Sequence, residues 1–97
     1  MITVWKYTWP LPKDSAVFRM PGNAEILTSR EQGDSLCIWA RVESGALERD
    51  RHFALCGTGH KAPADGEYIG TAMLDGGSLV LPVFELPNPN TRQDRVM

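Results

Sequence analysis

Turn-forming residues recur along this chain and cut it into short segments, none with a helical period of eight or more residues. Pro10-Leu11-Pro12, Pro21-Gly22-Asn23, Gly33-Asp34, Ser44-Gly45, Gly57-Thr58-Gly59 and Asp75-Gly76-Gly77 divide it into short segments. Each turn has a mechanism: proline fixes φ and supplies no donor, while glycine and asparagine accept a positive φ. Between the turns the residues alternate with period two, and no helical period is sustained. The pattern predicts an all-β domain, a single small antiparallel sandwich or a partly open barrel of six to seven short strands.

Taken in order, Ile2 to Trp9 alternates strictly, with Trp5, Tyr7 and Trp9 on one face and Val4, Lys6 and Thr8 on the other. Ala16 to Met20 and Ala24 to Gln32 read as the second and third strands. Gly33-Asp34 then makes a tight hairpin into Leu36 to Val42. There Leu36, Ile38, Ala40 and Val42 form one apolar face, and Cys37 and Trp39 make the other face partly apolar. Such a strand belongs inside a sheet. Glu43 to Arg51 is rich in charge and is expected to be a solvated loop, with His52 to Cys56 as the return strand. Tyr68 to Leu74 is interrupted by Gly70, which suggests a bulge or a close backbone approach. Asp75-Gly76-Gly77 is the strongest hairpin signal, and Pro82 marks the last strand, Ser78 to Leu86, as an edge strand or a bulged one. The domain spans 1–86. The proline-broken polar segment 87–97 is expected to be a mobile tail.

With 97 residues the chain makes one domain. A net charge of −2 lacks the basic excess of a general nucleic-acid binder, so direct nucleic-acid binding is not expected. No apolar run reaches the roughly 18 residues of a membrane span, and no leader pattern opens the sequence. A cytoplasmic location is the expectation. Cys37 and Cys56 then remain thiols and behave as small hydrophobes.

Three constellations have chemical potential. Gly57-Thr58-Gly59-His60-Lys61 resembles an anion nest, in which successive amides converge on a phosphate and His60 and Lys61 add charge. It lacks the spacing of a P-loop or a dinucleotide-binding turn. The simpler alternative is a turn that needs positive φ. Cys56 with His60, or Cys37 with His52, can be drawn as thiolate pairs, but no third residue orients them. The spacing of these four residues fits no zinc motif, so no metal, cofactor or catalytic residue is expected. The third constellation is the Trp5, Tyr7, Trp9 stripe, which belongs either to the core or to a protein interface. Arg49 and Arg51, in the charged segment, would form its rim.

Lys6-Tyr7, Pro21-x-x-Ala24-x-Ile26-Leu27, Cys37-x-Trp39-Ala40, Gly57-Thr58-Gly59-His60, Tyr68-Ile69-Gly70-Thr71 and Val83-Phe84-Glu85 form a wider pattern. It resembles a family of small all-β proteins encoded by bacteriophages and prophages, and the likeness runs from Trp5 to about Glu85. The resemblance implies a phage product in the host cytoplasm and carries over no catalytic residues. The expected function is therefore that of a non-enzymatic accessory protein that binds a host protein complex, for example as an anti-CRISPR-like inhibitor. Two alternatives stand beside it: a protein that sequesters a nucleotide signal at Gly57–Lys61, and a virion structural component. An unprotected edge strand would also permit a homo-oligomer.

Overall fold

A computed structural model describes residues 1–88. Most of the tail, 89–97, lies outside the described residues. Seven strands form the fold: β1 (Ile2–Thr8), β2 (Ser15–Pro21), β3 (Glu25–Gln32), β4 (Ser35–Glu43), β5 (Glu48–Leu55), β6 (Glu67–Leu74) and β7 (Leu79–Leu86). They make one sheet in the order β1-β4-β3-β6-β7-β5-β2. Every pairing is antiparallel except β3–β6. The sheet curls until β1 and β2 approach each other, giving an all-β barrel with one unsealed seam.

The predicted hairpins form where the turn chemistry places them. Gln32 pairs with Ser35 across a two-residue turn in which Gly33 has φ 60°. The β6–β7 hairpin closes over Asp75–Gly77, whose φ angles are all positive. Gly70 meets both expectations held for it. The register shifts between Tyr68 and Gly70, and a Cβ at Gly70 would stand 2.2 Å from the Ser29 carbonyl oxygen. That contact is the one backbone bridge joining β3 to β6, Ser29 opposite Gly70.

β4 is an interior strand, flanked by β1 and β3, with Leu36, Ile38, Ala40, Val42 and Cys37 all buried. Phe53, Met20 and Val83 complete the centre of the core from β5, β2 and β7. Full burial of each large side chain stabilises the fold by roughly 1.5–3 kcal/mol. Phe18 links the two sides of the seam through rings: its centroid lies 5.6 Å from Tyr7, 6.1 Å from Trp9 and 5.8 Å from Phe53.

Two expectations are corrected. The charged segment does not remain a loop beyond Leu47, because Glu48, Arg49, Asp50 and Arg51 begin β5 and pair with β2. Alternation reconciles charge with strand. Glu48 and Asp50 project outward to ion pairs with Arg19, at 3.6 and 3.3 Å, while Arg51 turns inward to Glu85. The second correction concerns β7, expected as an edge strand or a bulged one: it lies between β6 and β5 and is no edge, and the register shift in its pairing with β6 falls between Tyr68 and Gly70 of β6. Pro82 sits where the β5–β7 ladder stops. Its carbonyl accepts from the Cys56 amide at 2.9 Å, and with no N–H of its own it cannot return the bond.

Candidate binding surfaces

Backbone direction fixes what the seam offers. The Trp9 amide donates to the Leu36 carbonyl at 2.8 Å, and the Ser44 amide donates to the Met1 carbonyl at 3.0 Å. Odd-numbered residues of β1 therefore direct their backbone groups to β4. By the alternation of an antiparallel ladder, Ile2, Val4, Lys6 and Thr8 direct theirs into the seam. On β2 the Leu55 amide donates to the Asp14 carbonyl and the Gly22 amide donates to the Leu47 carbonyl. Even-numbered residues there face β5, which leaves Ser15, Val17 and Arg19 facing the seam. The seam is thus bordered by two strand edges, with no backbone ladder between them.

The aromatic stripe crosses from surface to core along one strand face. Trp5 is 36% exposed, Tyr7 is partly buried and Trp9 is 3% exposed. Trp9 also donates from Nε1 to the Lys13 carbonyl at 2.7 Å, which anchors the β1–β2 connection. Of the three, Trp9 is a core residue and Trp5 is the one presented to solvent. Tyr7 is intermediate. Its hydroxyl is buried with no hydrogen-bond partner among the described residues. Burial raises its pKa above the usual phenol value, and the charge of Glu48 adds to this against the opposing effect of Arg51.

The two arginines assigned to the rim differ. Arg49 is exposed, and its methylenes lie over Gly22, where a Cβ would stand 3.0 Å from Arg49 Cδ. Arg51 is committed to a bidentate pair with Glu85, Nε to Oε2 at 2.5 Å and Nη2 to Oε1 at 3.0 Å, and also donates to the Ala24 carbonyl at 2.9 Å. The side chains of that pair are 19% and 16% exposed. Arg51 therefore ties β5 to β7 and to the turn before β3. Trp5 and Arg49 lie toward the same end of the barrel, where β1 and β5 begin.

The glycine turn stands at the opposite end. The His60 amide donates to the Gly57 carbonyl at 3.0 Å, so that amide serves the turn itself. Gly59 supplies a positive φ of 84°. Thr58, Gly59, His60 and Lys61 are exposed. Gly57, Thr58 and His60 wall a cleft of about 610 Å³, whose other sides are Leu11, Pro12, Leu55 and the start of β7. The cleft opens because β5 and β7 diverge above Pro82, and its walls are mainly apolar. The Cys56 thiol donates to the carbonyls of His60 and Gly57, at 3.4 and 3.6 Å. These are the contacts of a packed thiol. Both cysteines are buried and unbridged.

Two side chains that hold the strands together carry roles the sequence does not assign. Glu85 had a visible signal: it is the only charged member of the inward series Leu79, Leu81, Val83, Glu85. Glu31 had none. Its carboxylate accepts from the Met73 amide at 2.8 Å and extends the β3–β6 junction beyond its single bridge.

A family model for a domain of unknown function, DUF7352, matches residues 1–94, and the chain belongs to that family. No curated protein and no solved structure matches it.

Proposed function

We propose that this DUF7352 member is a non-enzymatic phage accessory protein that binds a host protein complex in the host cytoplasm. Its role is counter-defence, for example inhibition of a CRISPR effector or another immune complex. The phage setting rests on the residue pattern from Trp5 to Glu85. The binding reading is carried by the exposure along β1: Ile2, Val4 and Trp5 are 69%, 53% and 36% exposed on a strand with one free edge. Val4 and Trp5 lie on opposite faces of β1; the Trp5 face, a tryptophan at the surface with Arg49 toward the same end, has the make-up of an interface hot spot and its rim.

The test is capture of host proteins by the tagged full chain, with a Trp5→Ala, Arg49→Ala double variant alongside. Both residues lie at the surface, so the variant should retain the wild-type melting curve. A stoichiometric host complex, lost in that folded variant, is the expected result. Retention of the complex by the folded variant would reject this surface, and absence of any complex would reject the function.

The cleft favours a second reading, sequestration of a small ligand such as a nucleotide signal at Gly57–Lys61. Three of those five residues wall a space within the usual range of ligand clefts. Thermal shift against linear and cyclic nucleotides checks it, with His60→Ala and Lys61→Ala as controls. An unchanged melting point at millimolar nucleotide would dismiss it.

A further inference from the structure

We infer that the seam between β1 and β2 is a docking slot for one extended segment of a partner protein, which inserts as an eighth strand and completes the barrel. The inference rests on the binding reading above and specifies its mode. Three observations carry it. Both borders of the seam are strand edges: Val4, Lys6 and Thr8 on one side and Val17 and Arg19 on the other turn their backbone groups into the gap. Along most of its length the Cα atoms of β1 and β2 stand more than 8 Å apart. Paired strands lie about 4.8 Å apart, so the two edges stand too far apart to pair with each other. Third, the Tyr7 hydroxyl is buried on the inner side of β1 without a partner among the described residues, and an inserted backbone or side chain would supply one.

The geometry also selects the occupant. The slot has an edge on each side, so its occupant needs both of its own edges free. A folded second copy cannot supply such a strand, because its β1 is already paired to β4 and its β2 to β5. Only a segment that is extended and unpaired before binding fits, as in other cases of strand addition. Inside the seam Tyr7 and Phe18 already touch at 5.6 Å between centroids. The inward-facing residues of the segment must therefore be small, glycine, alanine or serine, with serine suited to the Tyr7 hydroxyl. Outward-facing residues would lie beside Val4 at one end of the slot and beside Val17 at the other, both more than half exposed, which favours β-branched side chains. The recognised sequence thus alternates small and β-branched residues.

The experiment uses the full chain and a library of blocked peptides in which small and β-branched residues alternate, with amide hydrogen exchange followed by NMR. Exchange at Val4, Lys6, Thr8, Val17 and Arg19 should slow at least tenfold with a binding peptide, while Trp5 and Tyr7, already paired to β4, change little. Proline is tolerated where an edge N–H has no partner. Lys6→Pro and Val17→Pro should therefore keep the fold and lose this protection. If no library member slows exchange at those five amides, or if the folded proline variants are protected equally, the slot assignment is overturned. Capture of a host complex that survives Lys6→Pro would leave the binding function standing while removing the slot. Peptide insertion without a captured host complex would do the reverse.

Discussion

At the scale of single residues, the polar groups on the inner side of the barrel decide more than the aromatic ones. The Arg51–Glu85 pair is covered on most sides and adds a third bond, to the Ala24 carbonyl. Removing one member leaves a charge without its partner in a poorly solvated place. Glu85→Ala should cost about 1.5–3 kcal/mol, the usual worth of a bond to a charged group. Replacing both, as Arg51→Met with Glu85→Leu, should recover much of that loss, since no stranded charge remains. Urea unfolding of the three variants forms the check, and an additive double variant would refute the coupling. Tyr7 predicts the opposite sign. Its hydroxyl has no partner among the described residues, so Tyr7→Phe should leave stability unchanged or raise it by up to about 1 kcal/mol. A clear drop in melting temperature would mean that the hydroxyl is satisfied in solution. Gly70 is the least replaceable position. Alanine there would meet the Ser29 carbonyl oxygen at 2.2 Å with φ at 155°, and a loss of about 3 kcal/mol or more is expected. Wild-type unfolding of Gly70→Ala would show that the approach is looser than it stands here.

At the scale of elements, the β3–β6 junction is the barrel's second weak line, because the two strands share one bridge and a side-chain cap. Glu31 supplies the cap, and the bond from the Met73 amide is the main reason its pKa falls below 4.5. A depressed carboxylate contributes stability above its unfolded pKa and loses it as pH falls through the folded one. Stability should therefore decline as the pH drops below 4.5, and Glu31→Gln should flatten part of that decline. Denaturant midpoints on either side of that pH measure the effect; parallel curves for wild type and variant would remove Glu31 from it. Glu43, lowered chiefly by its bond to the N-terminal ammonium, adds to the same acid limb and remains after the substitution. These junctions explain what was legible in the sequence. Hairpins form between neighbouring residues, so Gly33-Asp34 and Asp75-Gly76-Gly77 could be placed from local chemistry alone. The β3–β6 contact and the Arg51–Glu85 pair join strands distant in sequence; local pattern marks Gly70 and Glu85 but does not name their partners. The run Glu48–Arg51 reads as a loop on charge alone, although its outward residues need only Arg19 beside them. Pro82 misled because its missing donor falls where a ladder ends inside the sheet. At the site, alternation correctly put Trp5, Tyr7 and Trp9 on one face, but it could not show that the face passes from solvent into the core.

At the scale of the whole molecule, the barrel is held as one piece by side chains across a seam that its backbone leaves open. Phe18 bridges the seam through Tyr7 and Trp9, and the Trp9 indole fastens the connecting loop to the Lys13 carbonyl. The interior is thereby shielded while two strand edges stay accessible, an arrangement that natural sheets ordinarily blunt. The free protein should record this in its amide exchange. Along β1 the amides of Trp5 and Tyr7 are paired to β4 and should exchange slowly, whereas those of Val4, Lys6 and Thr8 should exchange quickly, so protection alternates residue by residue. Along β2 the same alternation should set Ala16, Phe18 and Met20 against Ser15, Val17 and Arg19. β4, paired on both sides, should show no alternation and should exchange only by global opening. Hydrogen exchange by NMR on the uncomplexed chain tests all three strands at once. Uniform protection along β1 and β2 would mean that the seam is closed by a direct ladder in solution. The alternating pattern would mean that a complete set of unpaired donors and acceptors stands ready on both edges, the condition that strand insertion requires.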